Sequence, residues 1–412
     1  MELYYSFSVL IVLAALFSYA NHRFLKLPSS IGIMLMAIIA SVVIRFGGNY
    51  LFPNFTDEFY GFLNGLDFTE LLMGAMLNFL LFAGAIHVKF ADLKEQRIPV
   101  LMFSTVSVIM STFIVGFLIY YISQWMSIDL PLMYCLLFGS LISPTDPIAV
   151  LGILKSANVP KSVETKIAGE ALFNDGVAVV LFAVLLQLCQ TPGMSVSMEN
   201  ISFLLLKEAG GGFLLGGLLG FSASAAMKQI DDYVLSALIT LSVVMGGYLI
   251  AHSLHFSSPL TMVAAGLIIG NFGKKVAMSK TTQEYLSKFW ELIDEILNSV
   301  LFLFIGFELL MIEDIKSYWI LSLIAIVVVL LARTLSIVIP SALLPHKSKF
   351  TKGSLTLMVW GGLRGGVSIA LVLMVSNNHY REILLELTYF VVIFSILVQG
   401  LTVGKVAKKL FH

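Results

Sequence analysis

Six ionisable side chains stand out inside long apolar runs of this chain: Asp146, Glu170, Asp175, Glu308, Arg333 and Arg364. A charge at bilayer depth is costly, so each marks an ion or proton pathway or one half of a buried pair. The densest group is Gly169-Glu170-Ala171-Leu172-Phe173-Asn174-Asp175-Gly176. On a helix Glu170 and Asn174, four apart, stack one above the other, and Asp175 lies one position round. Three oxygen-bearing side chains then crowd one sector. Burial favours a protonated carboxyl and a bound cation favours the carboxylate, so such a group can trade a proton for a metal ion.

The second group is Ser143-Pro144-Thr145-Asp146-Pro147. Pro144 and Pro147 lack backbone donors, so the carbonyls of Ser140 and Ser143 lose their helical partners. Freed carbonyls beside the Asp146 carboxylate and the Thr145 hydroxyl suit a small hard cation, which prefers oxygen ligands. The plainer alternative is a proline kink with Asp146 capping the half-helix that follows. The third group, Gly361-Gly362-Leu363-Arg364-Gly365-Gly366, sets Arg364 between two glycine pairs. The glycines permit unwinding and close helix approach, and the permanently charged guanidinium needs a partner, for which Glu170 is the expected one. Arg333 needs a partner as well, and Glu308 is the candidate for a structural ion pair with it.

The elements that carry these groups follow from composition. Hydrophobic residues make up 58% of the 412 and charged residues only 12%, against about 25% charged in soluble domains. Lys plus Arg and Asp plus Glu both number 25, which leaves no basic excess for nucleic acid. Cys135 and Cys189 sit in apolar runs away from any metal-ligand spacing and read as packing residues. About 20 apolar residues span a bilayer. That measure gives thirteen segments, near 3–21, 29–46, 69–88, 99–123, 131–154, 166–189, 203–227, 233–251, 257–272, 294–312, 318–344, 353–376 and 383–404. The first has no basic leader or cleavage site and is expected to be retained. The charged, amphipathic stretch 274–295 is expected to lie on the membrane surface before the tenth.

Connections after odd-numbered segments hold nineteen of the 25 basic residues; those after even-numbered segments hold four, and Arg333 and Arg364 lie inside segments. Because positive loops stay cytoplasmic, the N-terminus is expected outside and the C-terminus inside. The expected fold is an all-α polytopic membrane protein, one transport domain over 1–412 with no soluble domain. Split as six, one linker and six, the chain pairs the fifth segment with the twelfth. These two carry its strongest helix breakers, the mark of an inverted-repeat transporter with its site at the midplane. Five histidines, His22, His87, His252, His255 and His379, fall at segment ends; each can titrate near neutrality, and an interfacial place is their plainer reading.

The three motifs, in this order and spacing, resemble the monovalent cation/proton antiporter-1 family, which holds the NhaP-type antiporters and the sodium/hydrogen exchangers. The resemblance covers essentially the whole chain. It implies a secondary transporter, not an enzyme, that exchanges sodium, or lithium or potassium, for protons in pH homeostasis and uses no cofactor. It makes Asp175 the carboxylate that alternates between cation and proton, with Asp146 and Thr145 completing the ion site. Glu170, Asn174 and Arg364 become its supporting network. Asn174 before Asp175 marks the class associated with electroneutral exchange, and one titrating carboxylate per cation agrees with that. The resemblance further implies a homodimer in the cell inner membrane. A core, near 99–189 and 318–404, would move like an elevator against a dimerisation part near 1–90 and 203–312. Two departures stand out: Ala171 replaces a common Ser, and Leu81-Phe82-Ala83-Gly84 lacks a carboxylate that some relatives carry. The rivals are potassium/proton exchange, a cation channel with the same carboxylates as a selectivity ring, and an intramembrane hydrolase, for which no companion motif exists.

Overall fold

The computed structural model of the chain describes residues 2–48, 76–146, 150, 154, 159–190, 203–274, 278–307, 310, 318–344 and 353–411. Among them every regular element is helical. Eight helices are long and apolar enough to cross a membrane, and Leu77–His87, Leu132–Ile142 and Ser258–Gly273 are shorter apolar helices. Each of the thirteen expected segments contains helix among the described residues.

The chain begins with α1 (Glu2–Ala20) and α2 (Ser29–Val43), separated by a wide turn over Asn21–Leu25. Next come α3 (Leu77–His87), α4 (Phe90–Glu95), α5 (Arg97–Trp125), α6 (Leu132–Ile142) and α7 (Lys161–Gln190). The middle of the chain forms α8 (Gly211–Met227), α9 (Tyr233–Leu254), α10 (Ser258–Ile268) and α11 (Lys280–Phe307). Last are α12 (Trp319–Leu343), α13 (Ser354–Trp360), α14 (Gly366–Leu373), α15 (His379–Phe394) and α16 (Leu401–Phe411).

One expectation is corrected here. The amphipathic stretch before the tenth segment is not a separate surface helix from Lys280 onward: it runs without a break into the apolar residues as the single helix α11. No Pro or Gly occurs between Lys280 and Ile305 to stop it, and its polar face lies at the end nearer the expected cytoplasmic loop.

Two sets of closely packed helices meet at the site. In one, α5 packs on α6, α7 and α12, and α12 packs on α15. Gly139 of α6 lies so close to the Thr112 backbone of α5 that no Cβ would fit. In the other, α10 packs on α3 and α8, and α11 packs on α2 and α3. Trp290 of α11 is wholly buried, its ring 4.5 Å from that of Phe82 and its indole N–H donating to Thr240 Oγ1 at 3.0 Å. Pro340 inside α12 cannot donate to the Ser336 carbonyl four residues back. The Ser107 hydroxyl of α5 donates to that carbonyl instead, which ties the two helices together where the chain is weakest.

Candidate functional site

Two helices, α6 and α13, end at the Pro and Gly clusters, as those residues require. After α6 the residues Ser143–Asp146 are not helical, and between α13 and α14 the residues 361–365 are not helical. Broken helices leave carbonyls and N–H groups without partners, which is tolerable at membrane depth only if something else satisfies them. Here the two breaks satisfy each other. The Asp146 N–H donates to the Leu363 carbonyl at 2.8 Å. In return, Arg364 Nη1 donates to the carbonyls of Ser143 and Pro144 at 2.8 and 2.9 Å. A wide-turn segment, Ser395–Gly400, closes the remaining gaps. Ser395 Oγ accepts from the Arg364 N–H at 2.8 Å, and Gln399 Nε2 donates to the Trp360 carbonyl at 3.0 Å.

These contacts correct two expectations. The Ser143 carbonyl freed by the prolines is taken by Arg364 rather than offered to a cation, because a buried guanidinium has five donors to place and no water to place them in. The second correction concerns the arginine pairing. Glu170, 1% exposed, accepts from Arg333 Nη1 in a buried ion pair, so Glu170 is the partner of Arg333 and not of Arg364. Arg333 Nη2 also donates to the Met358 carbonyl at the end of α13, at 2.9 Å. Gly362 makes this approach feasible: a Cβ there would sit 2.6 Å from Arg333 Nε. Glu308, the expected partner of Arg333, lies outside the described residues, as does Pro147.

The remaining motif residues converge. Asn174 is fully buried on α7; its amide donates to Thr145 Oγ1 at 2.8 Å, and its Oδ1 faces the Thr145 N–H at 3.5 Å. Asn174 therefore clamps the first break onto α7. Asp146 lies against Gly365, where a Cβ would come 2.5 Å from Asp146 Oδ2. Only glycine at 365 lets the second break close over that carboxylate.

Thr145, Asp146 and Asp175 share the wall of one cavity of about 60 Å³, room for a few water molecules. Pro144 and the start of α14 contribute to the same wall. The opposite side comes from the second packing group: Leu77, Leu80, Leu81 and Gly84 of α3, and Asn298 and Leu301 of α11. The cavity thus lies on the seam between the two groups. Two carboxylates, Asp146 and Asp175, face a largely apolar chamber that also carries the polar side chains of Thr145, Asn298 and Ser368, with a fixed cation, Arg364, bonded to the adjoining backbone. That arrangement can hold one small cation or release it against protonation. Ala171 is buried one residue past Glu170 and brings no hydroxyl.

Arg333 is legible in the sequence as an intramembrane charge, but its bond to Glu170 is not. Sequence reasoning missed Ser395 and Gln399, whose polar character in an apolar run was the available signal.

The family profile described as "Sodium/hydrogen exchanger, transmembrane" matches residues 11–409. Over 405 residues the chain is 42% identical to the Na(+)/H(+) antiporter NhaP of Pseudomonas aeruginosa, covering 97% of this chain and 95% of that protein. It is 33% identical over 392 residues to the Na(+)/H(+) antiporter NhaH of Halobacillus dabanensis, covering 94% and 93% respectively. The solved structure of the sodium proton antiporter MjNhaP1 from Methanocaldococcus jannaschii matches with a TM-score of 0.78 at 21% identity. It spans 100% of this chain and 99% of that one, and the likeness establishes the fold.

Proposed function

The chain belongs to the sodium/hydrogen exchanger family, and we propose that it is a secondary sodium/proton antiporter whose exchange site is the cavity wall carrying Asp146 and Asp175. The observation that carries this reading is the meeting of both carboxylates in one buried chamber, where the chain after α6 bonds to the chain between α13 and α14.

In the proposed cycle Asp175 is the group that changes partner. With sodium in the cavity it is a carboxylate, and Asp146 with the Thr145 carbonyl supplies further oxygens. When sodium leaves, a proton takes its place on Asp175. One charge replaces one charge, so the loaded and protonated carriers have the same net charge and exchange is electroneutral. Asn174 and the Glu170–Arg333 pair hold the geometry, and Arg364 keeps the broken backbone closed around the site. The seam position of the cavity supports alternating access. The core, near 99–189 and 318–404, carries the site past a part near 1–90 and 203–312, which holds a second copy of the chain in a homodimer. The protein works in the cell inner membrane with its C-terminus in the cytoplasm, as the placement of basic residues favours. It needs no nucleotide or other cofactor, since the proton gradient supplies the driving force.

The test is proton movement in sealed liposomes holding the full chain, driven in turn by sodium, lithium and potassium, with membrane voltage recorded. Sodium is expected to drive proton movement without generating voltage. Protons and sodium compete for one carboxylate. Where Asp175 is mostly protonated, each unit fall in pH is therefore expected to raise the half-saturating sodium concentration about tenfold. Voltage-generating exchange would overturn the one-for-one stoichiometry. Ion flux with no proton movement would overturn the antiporter and leave a channel. An equal response to potassium would move the selectivity to the rival cation.

A further inference from the structure

The wall of the cavity carries two more side-chain oxygens that no part of the mechanism above uses. Asn298 of α11 is 3% exposed and Ser368 in the first turn of α14 is 1% exposed, and both line the same chamber as Asp146 and Asp175. Asn298 Oδ1 and Ser368 Oγ are buried and have no hydrogen-bond partner. Unpartnered oxygens are costly in an apolar interior, and persist where a ligand satisfies them. The orientation of the Asn298 amide is fixed, because its Nδ2 donates to the Asp294 carbonyl at 2.8 Å, one turn back on the same helix. Its oxygen is therefore the end left for the cavity, and it is a neutral acceptor.

We infer that Asn298 Oδ1 and Ser368 Oγ are additional oxygen ligands for the transported cation, held directly or through a water it retains, and that they set the preference among alkali cations. The inference rests on the antiporter reading and deepens it. Small hard cations take several oxygen ligands. The motif residues offer fewer than usual here, since Ala171 has no hydroxyl and the Ser143 carbonyl is occupied by Arg364. Neutral oxygens leave the charge balance of the exchange untouched, so they can adjust affinity and selectivity without altering the one-for-one count. Their origin adds a mechanical consequence. Ser368 follows the break that also carries Arg364, whereas Asn298 belongs to α11, which packs with α2 and α3. The full set of ligands is assembled only while the two groups are in register, so the sodium-loaded core gives up the Asn298 oxygen as it slides and keeps that of Ser368.

The experiment compares full-length Asn298→Leu and Ser368→Ala with the unaltered chain in the liposome assay, measuring half-saturating concentrations of sodium, lithium and potassium. Thermal unfolding in detergent is followed in parallel. Each substitution is expected to raise the half-saturating sodium concentration about tenfold, the usual weight of one ligand bond to a charged group. The sodium-to-potassium preference is expected to shift severalfold, and Ser368→Thr, which keeps a hydroxyl, to restore it. Folded variants whose half-saturating concentrations match those of the unaltered chain would overturn the inference and leave the antiporter reading standing. So would a loss that is equal for all three cations, the mark of a merely structural role. An unaltered chain that moves no protons with any cation would instead sink the reading beneath it.

Discussion

Asp175→Asn is expected to reduce sodium-driven proton exchange on the order of 100-fold or more while leaving insertion and folding intact. The side chains have nearly the same shape, so the neighbouring packing of α7, including Gly176 against Leu260, survives. What is lost is the charge that balances sodium and the oxygen that carries the proton back. Leaving a cation in a buried site without its counter-charge costs about 3–5 kcal/mol, which corresponds to a factor of roughly 100 or more in binding. Asp146→Asn provides the contrast. It keeps the proton carrier at Asp175 and removes only a cation ligand, so it should raise the half-saturating sodium concentration while some exchange remains at high sodium. The measurement is the initial rate of proton movement in liposomes with equal amounts of folded protein. Normal exchange by Asp175→Asn at the same stoichiometry would remove Asp175 from the centre of the mechanism.

The second large effect is expected at the ion pair behind the site. Arg333→Met leaves the Glu170 carboxylate, 1% exposed, without the guanidinium it bonds to, and also strips the Met358 carbonyl of a donor. Breaking one side of a buried pair is expected to destabilise the fold by about 3–5 kcal/mol, whereas removing both charges together is far milder. Unfolding of Arg333→Met should therefore occur at clearly lower temperature or denaturant concentration, and the double substitution Glu170→Gln with Arg333→Met should recover much of the loss. Because the pair ties α7 to the end of α13, the single variant should also lose exchange at temperatures where the unaltered chain works. A double variant no more stable than Arg333→Met would contradict the pairing. So would a comparable rescue from combining Glu170→Gln with Arg364→Met.

The contrast between the two arginines shows where sequence reasoning stops. Asp146, Glu170, Asp175, Arg333 and Arg364 were all visible in one dimension, because ionisable residues inside apolar runs are rare and the Pro and Gly clusters beside them break helices in any context. Pairing was not visible. Two arginines and several carboxylates admit more than one assignment, and Glu170 and Arg333 stand 163 positions apart. Hydrophobic patterning places both in the membrane but cannot say which faces of α7 and α12 meet. The Ser143 carbonyl shows the same limit: the prolines announce that it is freed, and only the fold decides that Arg364 claims it. The start of α11 was misjudged for another reason. A change from amphipathic to wholly apolar character looks like a boundary, yet backbone hydrogen bonding continues through it where no breaker intervenes. Asn298 and Ser368 escaped notice because neutral polar residues in apolar runs are common and most of them satisfy themselves on their own helix, as the Thr388 hydroxyl does with the Leu384 carbonyl.

The central claim is that proton and sodium displace one another at Asp175. Its most direct test is to add sodium to the purified, lightly buffered full-length protein and count the protons released per sodium bound, across a range of pH. One proton released for each sodium bound near the midpoint of competition, with both binding and release lost in Asp175→Asn, is the expected result. Sodium binding with no proton release at any pH, or release that persists in Asp175→Asn, would contradict it.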